Sequence, residues 1–182
     1  MKKEIAGKQY LIRLLSHHRC MPALMALMAA NVLGIALISQ YIFGLEPCIL
    51  CIIQRYPFGI VIGLGLLAMT IPETSRKFSS LTMGLIGLAF LTNSIIAFYH
   101  SGVEQKWWRS FLEGCAVPDL NGDIEQIMAD IQARTEHIPC DAIPWSDPIL
   151  HLSMANYNVI LCLALGMIAL LSAYAIWQKS QD

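Results

Sequence analysis

The stretch EPCILCIIQRYPF, residues 46–58, places two cysteines around a two-residue spacer and an arginine four residues after the second. It opens onto an apolar run, 56–72, that contains no Asp, Glu, Lys or Arg. A helix that crosses the hydrocarbon core needs about 20 largely apolar residues. The run reaches that length only if its helix begins near Cys48, and Arg55 then lies inside a membrane span. Three further segments, 21–45, 78–99 and 149–178, lack the same four residue types. The chain of 182 residues is 56% hydrophobic and 14% charged, against roughly a quarter charged in ordinary globular domains. The reading is an all-α membrane protein, a single integral domain over 1–182. It has four transmembrane helices, near 22–43, 48–71, 80–99 and 156–177, and a long outer loop over 100–155. A soluble bundle would need charged outer faces that these segments lack. The net charge of -1 points to no polyanion, and no nucleic-acid partner is expected.

The basic N-terminus is followed by an apolar run longer than the roughly 7–15 residues of a signal-peptide core. No clear cleavage site closes it, so it reads as a retained first span. Lysine and arginine set orientation, because short positively charged loops stay cytoplasmic. Lys2, Lys3, Lys8, Arg13 and Arg19 precede the first span, Arg76 and Lys77 separate the second and third, and Lys179 follows the fourth. The long loop holds Lys106, Arg109 and Arg134 among many acids. Both termini are therefore expected in the cytoplasm, with the 44–47 turn and the long loop outside.

Cys48, Cys51, Cys115 and Cys140 then fall on the outer side, where disulfides persist. Cys20 and Cys162 read as small apolar side chains. Four cysteines allow three pairings. The two-residue spacer makes Cys48–Cys51 a natural local pair, which leaves Cys115 with Cys140. In the loop, 123–137 sets Ile124, Ile127, Met128 and Ile131 on one helical face. Such a short amphipathic helix can lie at the membrane interface. Trp107, Trp108, Trp145 and Tyr157 suit interfacial anchoring. Gly59 and Gly63 have the spacing of close helix packing, and Asn31, Asn93 and Ser94 read as hydrogen-bonding groups between helices.

Pro47 suits the first turn of a helix, which would put both cysteines in its opening turns. The positive dipole end there favours anions and lowers a cysteine pKa below its free value of about 8.5. Arg55, one turn beyond Cys51, is expected to stabilise a Cys51 thiolate more directly than one on Cys48. An arginine at membrane depth usually faces a partner or a polar cavity; snorkelling to the headgroups or pairing with Glu46 are the plainer readings. A metal site would need partner ligands in compatible geometry, and the spacing of Cys115 and Cys140 suggests none, so no metal is expected. A dithiol at the bilayer surface and a second pair in the loop instead suit a thiol–disulfide relay.

PCILCIIQRYPFG (47–59), FYHSGVEQKWW (98–108), CDAIPW (140–145) and LSMANYN (152–158) together resemble the DsbB family, bacterial inner-membrane proteins that make disulfides by reducing quinone. The resemblance covers nearly the whole chain. It implies that Cys48 and Cys51 form the membrane-proximal pair, with Cys51 engaging the quinone (ubiquinone or menaquinone), and that Arg55 and His100 lie near that cofactor. It further implies that Cys115 forms a mixed disulfide with a periplasmic thioredoxin-fold dithiol oxidase of the DsbA type, and that Cys140 exchanges with Cys48. Some members carry glutamate just before the arginine, where this chain has Gln54, which puts an acid–base role at that position in doubt. A vitamin K epoxide reductase-like protein is a rival, but there the CxxC generally follows the loop cysteines. A structural four-span protein with bracing disulfides is the non-enzymatic alternative.

Overall fold

The computed structural model describes residues 15–112, 115, 123–125, 128 and 139–181. The helices in chain order are α1 (Cys20–Tyr41), α2 (Ile49–Ile53), α3 (Arg55–Thr70), α4 (Arg76–Glu104) and α5 (Met154–Gln178), with a 3-10 turn at Glu73–Ser75. No strand forms among the described residues; a single β-bridge joins Ser146 to Ser153. Four helical stretches are long and apolar enough to cross a membrane: Cys20–Tyr41, Ile49–Thr70, Glu73–Glu104 and Met154–Gln178. The chain is a multi-pass, all-α membrane bundle. The amphipathic helix expected over 123–137 falls mainly outside the described residues.

The core is assembled from α1, α3, α4 and α5 around Met25, Ala29, Val61, Met83, Phe90 and Ala169. Phe58 meets Phe90 edge-on, with ring centroids 6.3 Å apart. The most extensive packing is α4 on α5, followed by α1 on α3 and α3 on α4. Outward faces stay apolar: Leu27, Ile35, Leu66, Leu88, Ile95 and Leu171 are all more than half exposed. Water does not tolerate such a surface over this length, whereas lipid does.

Two departures from the expected spans shape the site. The second span is broken at Gln54, which ends α2 and begins α3. Pro57 explains the break, since it removes the N–H that would bond the Ile53 carbonyl and its ring crowds that oxygen. The third span continues beyond Tyr99 to Glu104, more than one further turn. It ends where Trp107 N–H donates to the Gly102 carbonyl and Lys106 N–H to the Val103 carbonyl, with Lys106 in the left-handed region at φ 59°. This is a Schellman closure, which glycine usually makes; a lysine there left the stop unmarked in the sequence. A side chain at Gly102 would run into the Trp108 ring, 1.9 Å from the Cβ position.

The close-packing expectation for Gly59 and Gly63 does not hold. Both are exposed and have nothing within 4 Å of a Cβ position. Contact instead falls on Gly65, where a Cβ would lie 2.6 Å from the Ala26 Cβ and 2.8 Å from the Pro22 carbonyl oxygen. The α1–α3 crossing faces the Gly65 side of the helix because the core residues Phe58 and Val61 do. Gly65→Ala should therefore cost about 1–3 kcal/mol by overpacking, and Gly63→Ala should be neutral or slightly stabilising, as read by unfolding in mixed micelles.

Candidate functional site

Cys48 is the residue that caps α2, two positions earlier in the helix than a start at Pro47 would place it. Its Sγ accepts from the Cys51 backbone N–H at 3.3 Å and from the Cys51 thiol at 3.0 Å. His100 Nε2, reaching over from α4, stands 3.5 Å from the same sulfur. Cys48 lies just outside the spanning helix, and its thiol is pushed down to about 4. The hydrogen bond from the Cys51 thiol is the largest cause; burial opposes it, and the His100 hydrogen bond and charge add to the lowering. The amide at the helix start contributes in the same direction.

Cys48 and Cys51 are thiols in this structure, whereas Cys115 and Cys140 are joined in a disulfide with Cα atoms 4.7 Å apart. The disulfide does not stand off in solvent. Cys48, Leu50, Val103, Cys115 and Cys140 form one buried cluster, with Cys51 partly exposed at its side. The tertiary fold thus brings Cys48, Cys51, Cys115 and Cys140 together, although the loop between Cys115 and Cys140 lies mostly outside the described residues.

Arg55 is placed differently from the expectation. Its Nη1 donates to Gln40 Oε1 at the end of α1, 2.7 Å away, so neither Cys51 nor Glu46 holds it. Gln54 itself keeps right-handed helical dihedrals (φ -65°, ψ -15°), and it is the partner on α1 that takes Arg55. The favoured thiolate of the free pair is Cys48, because the Cys51 S–H is committed to stabilising it.

Glu104, Ser153 and Asn158 enter the site without having been singled out, and Gln54, noted only as standing where some members carry glutamate, joins them. Glu104 lies one turn beyond His100, with Oε1 3.7 Å from His100 Nε2, and its other oxygen accepts from the Ser153 hydroxyl. Gln54 Nε2 meets His100 Nδ1 at 2.9 Å, and Asn158 Nδ2 donates to Gln54 Oε1 at 2.6 Å. His100, Gln54 and Glu104 are all less than a tenth exposed. A cue for Glu104 was available: it follows His100 by four residues, the spacing of one helical face. Trp145, assigned only an anchoring role, helps line a small cavity with Glu46, Cys48, Cys51, His100 and Glu104. That cavity holds about 30 Å³, room for about one water molecule. Cys48, Cys51 and His100 also bring three donor atoms within 4.8 Å of one another, close enough for one metal ion. The sequence argument sought such ligands only at Cys115 and Cys140.

A buried thiol and a half-buried one, a disulfide packed against them and a histidine on the Cys48 sulfur can exchange electrons by thiolate attack on a disulfide. Comparison with known proteins agrees with that chemistry. Residues 18–172 match the family described as disulfide bond formation protein DsbB. Disulfide bond formation protein B of Polaromonas naphthalenivorans is 29% identical over 87% of this chain and 93% of its own length. The protein of the same name from Azoarcus sp. is 27% identical over 82% and 87% respectively. An uncharacterised protein of Rickettsia prowazekii is 29% identical over 73% of this chain and 74% of its own. No solved structure matches the chain. With the match reaching into all four spans and taking in Cys48, Cys51, Cys115 and Cys140, the chain belongs to the DsbB family of membrane oxidoreductases for disulfide bond formation.

Proposed function

We propose that this protein is a quinone-dependent thiol oxidase of the bacterial inner membrane, which reoxidises a periplasmic thioredoxin-fold dithiol oxidase of the DsbA type. Both termini face the cytoplasm in this reading, and the four redox cysteines face the periplasm, as the lysine and arginine distribution suggests. The observation that carries it is the shared burial of Cys48 with the Cys115–Cys140 disulfide. Two cysteine pairs within one cluster can pass electrons in series, and a brace would need only one.

In the proposed sequence, a partner thiolate attacks the Cys115 sulfur, the Cys115–Cys140 bond breaks, and Cys140 leaves as a thiolate. The partner's second cysteine then attacks the mixed disulfide and departs as an oxidised pair, which leaves Cys115 and Cys140 reduced. Next, Cys140 attacks Cys48 of the oxidised inner pair and expels Cys51 as a thiolate; Cys115 resolves the Cys48–Cys140 bond. This order reconciles two roles. Cys48 is the better-stabilised anion when both inner sulfurs are free, and Cys51 becomes the thiolate once Cys48 is held in a bond.

A bound quinone, ubiquinone or menaquinone, supplies the acceptor for two electrons and two protons. The water-sized cavity does not admit a quinone ring, so the fit lies on the outer side of Cys51. There Ile52 and Tyr56 are 42% and 68% exposed, an apolar face suited to a lipid-soluble ring. Arg55 is beside them and its remaining N–H groups can donate to a carbonyl. His100 and Glu104 are placed to hold protons released at the inner pair.

Cys51→Ser and Cys115→Ser should each abolish oxidation of a reduced DsbA-type partner, whereas Cys20→Ser should retain it; full turnover by either of the first two would defeat the relay. Anaerobic reduction of the purified protein, followed by a short-chain ubiquinone or menaquinone, should reoxidise Cys48 and Cys51 as read by thiol labelling and mass spectrometry. No quinone-dependent reoxidation would favour a structural role for the disulfides. The reduced protein should keep its ultraviolet thiolate absorbance from neutral pH down to about 4 and lose it below. His100→Asn should raise that midpoint, because the variant removes a donor to the Cys48 anion.

A further inference from the structure

A line of buried polar side chains runs from the middle of α4 through α5 and the Gln54 break to Cys48. Asn93 Nδ2 donates to Cys162 Sγ at 3.5 Å, and the Cys162 thiol donates to Asn158 Oδ1 at 3.1 Å. Asn158 Nδ2 donates to Gln54 Oε1 at 2.6 Å, Gln54 Nε2 meets His100 Nδ1 at 2.9 Å, and His100 Nε2 meets Cys48 Sγ at 3.5 Å. Asn93 and Cys162 are fully buried. Burying so many polar groups between apolar helices is costly unless they find partners; here the partners are one another, and only the Oδ1 of Asn93, at the far end of the line, is left without one.

The direction of the line decides the state of the histidine. A side-chain amide has one accepting end and one donating end. With Oε1 of Gln54 taken by the Asn158 N–H, its NH₂ faces His100, so Nδ1 accepts and the neutral ring carries its proton on Nε2. That proton points at the Cys48 sulfur. We infer that Gln54 and Asn158 are positioning residues that fix His100 as its Nε2–H tautomer, making the ring a donor to the Cys48 thiolate. The purpose of this arrangement rests on the redox reading, but its geometry does not. The reversed line would place the proton on Nδ1 and leave His100 only a lone pair for a Cys48 S–H. A carboxylate at position 54 could only accept, and would draw the proton to Nδ1. Among the described residues, the other titratable groups facing Cys48 and His100 are Cys51, Glu104 and Glu46, and the Cys140 backbone also hydrogen-bonds the His100 ring; substitutions at 54 and 158 leave these in place.

The test is the ¹⁵N spectrum of histidine-labelled, reduced protein in lipid bicelles, without quinone, with His100 assigned by its loss in His100→Asn. Wild type should show a protonated Nε2 and a bare Nδ1, and Gln54→Glu should protonate Nδ1. Folded Gln54→Leu and Asn158→Leu should raise the midpoint of the thiolate absorbance by about one unit, a tenfold loss of thiolate just below the midpoint. A wild-type His100 protonated on Nδ1 alone, or an unchanged midpoint in folded Gln54→Leu, would overturn the inference. If the leucine variants do not fold, the wild-type spectrum decides. Quinone plays no part in these readouts, so failure of the proposed electron acceptor would leave their outcome unaffected.

Discussion

The sulfur of Cys48 meets the Cys51 amide in the first turn of α2, the thiol of Cys51 and the ring of His100 at once, and the arrangement of this end of the bundle follows from holding those three together. An anion needs donors when water is excluded, and each donor comes from a different structural source. The amide comes from the helix start, the thiol from the CxxC spacing and the imidazole from α4. Removing the cap would free the end of α2, and moving α4 by one turn would carry His100 out of reach. Cys48 is consequently both a structural cap and the most acidic thiol of the pair.

The membrane imposes the second constraint. Between helices that face lipid, polar groups must find partners inside the protein. Ser80 and Ser94 donate to carbonyls of α5, and Asn93, Cys162, Asn158, Gln54 and His100 join in the line that ends at Cys48. The bundle can therefore hold α4 firmly on α5 while leaving the Cys51 side of the site open to an apolar face. The same constraint gives Arg55 a partner of its own, since Gln40 accepts from its guanidinium at the end of α1.

Much of this was readable in the chain. The four charge-free segments mark the spans to within a few residues, and the pattern PCILCIIQRYPFG marks the redox end. What was misjudged came from breaks in regular helix. Pro57 interrupts the hydrogen-bond ladder of the second span at Gln54, and Arg55 finds Gln40 on α1, a partner that local spacing does not show. The end of the third span was set too early because no glycine marks it. Glu104 falls within the expected loop, whereas in the structure it follows His100 on the same helix. The spacing of Gly59 and Gly63 was a sound signal on the wrong face, because the core-facing side of α3 passes through Phe58, Val61 and Gly65.

By itself the sequence determined the number of spans, the presence of a dithiol at the edge of one of them and membership of a thiol-oxidising family. These depend on composition and local spacing, which act within a few turns of chain. Only the tertiary structure decided which thiol is the anion, which partner takes Arg55, and that Asn158, 104 positions beyond Gln54, sets the face Gln54 shows to His100. Those outcomes depend on where the sulfur, guanidinium and amide groups of separate helices meet, and hydrogen bonds between distant segments leave no periodic trace in a sequence.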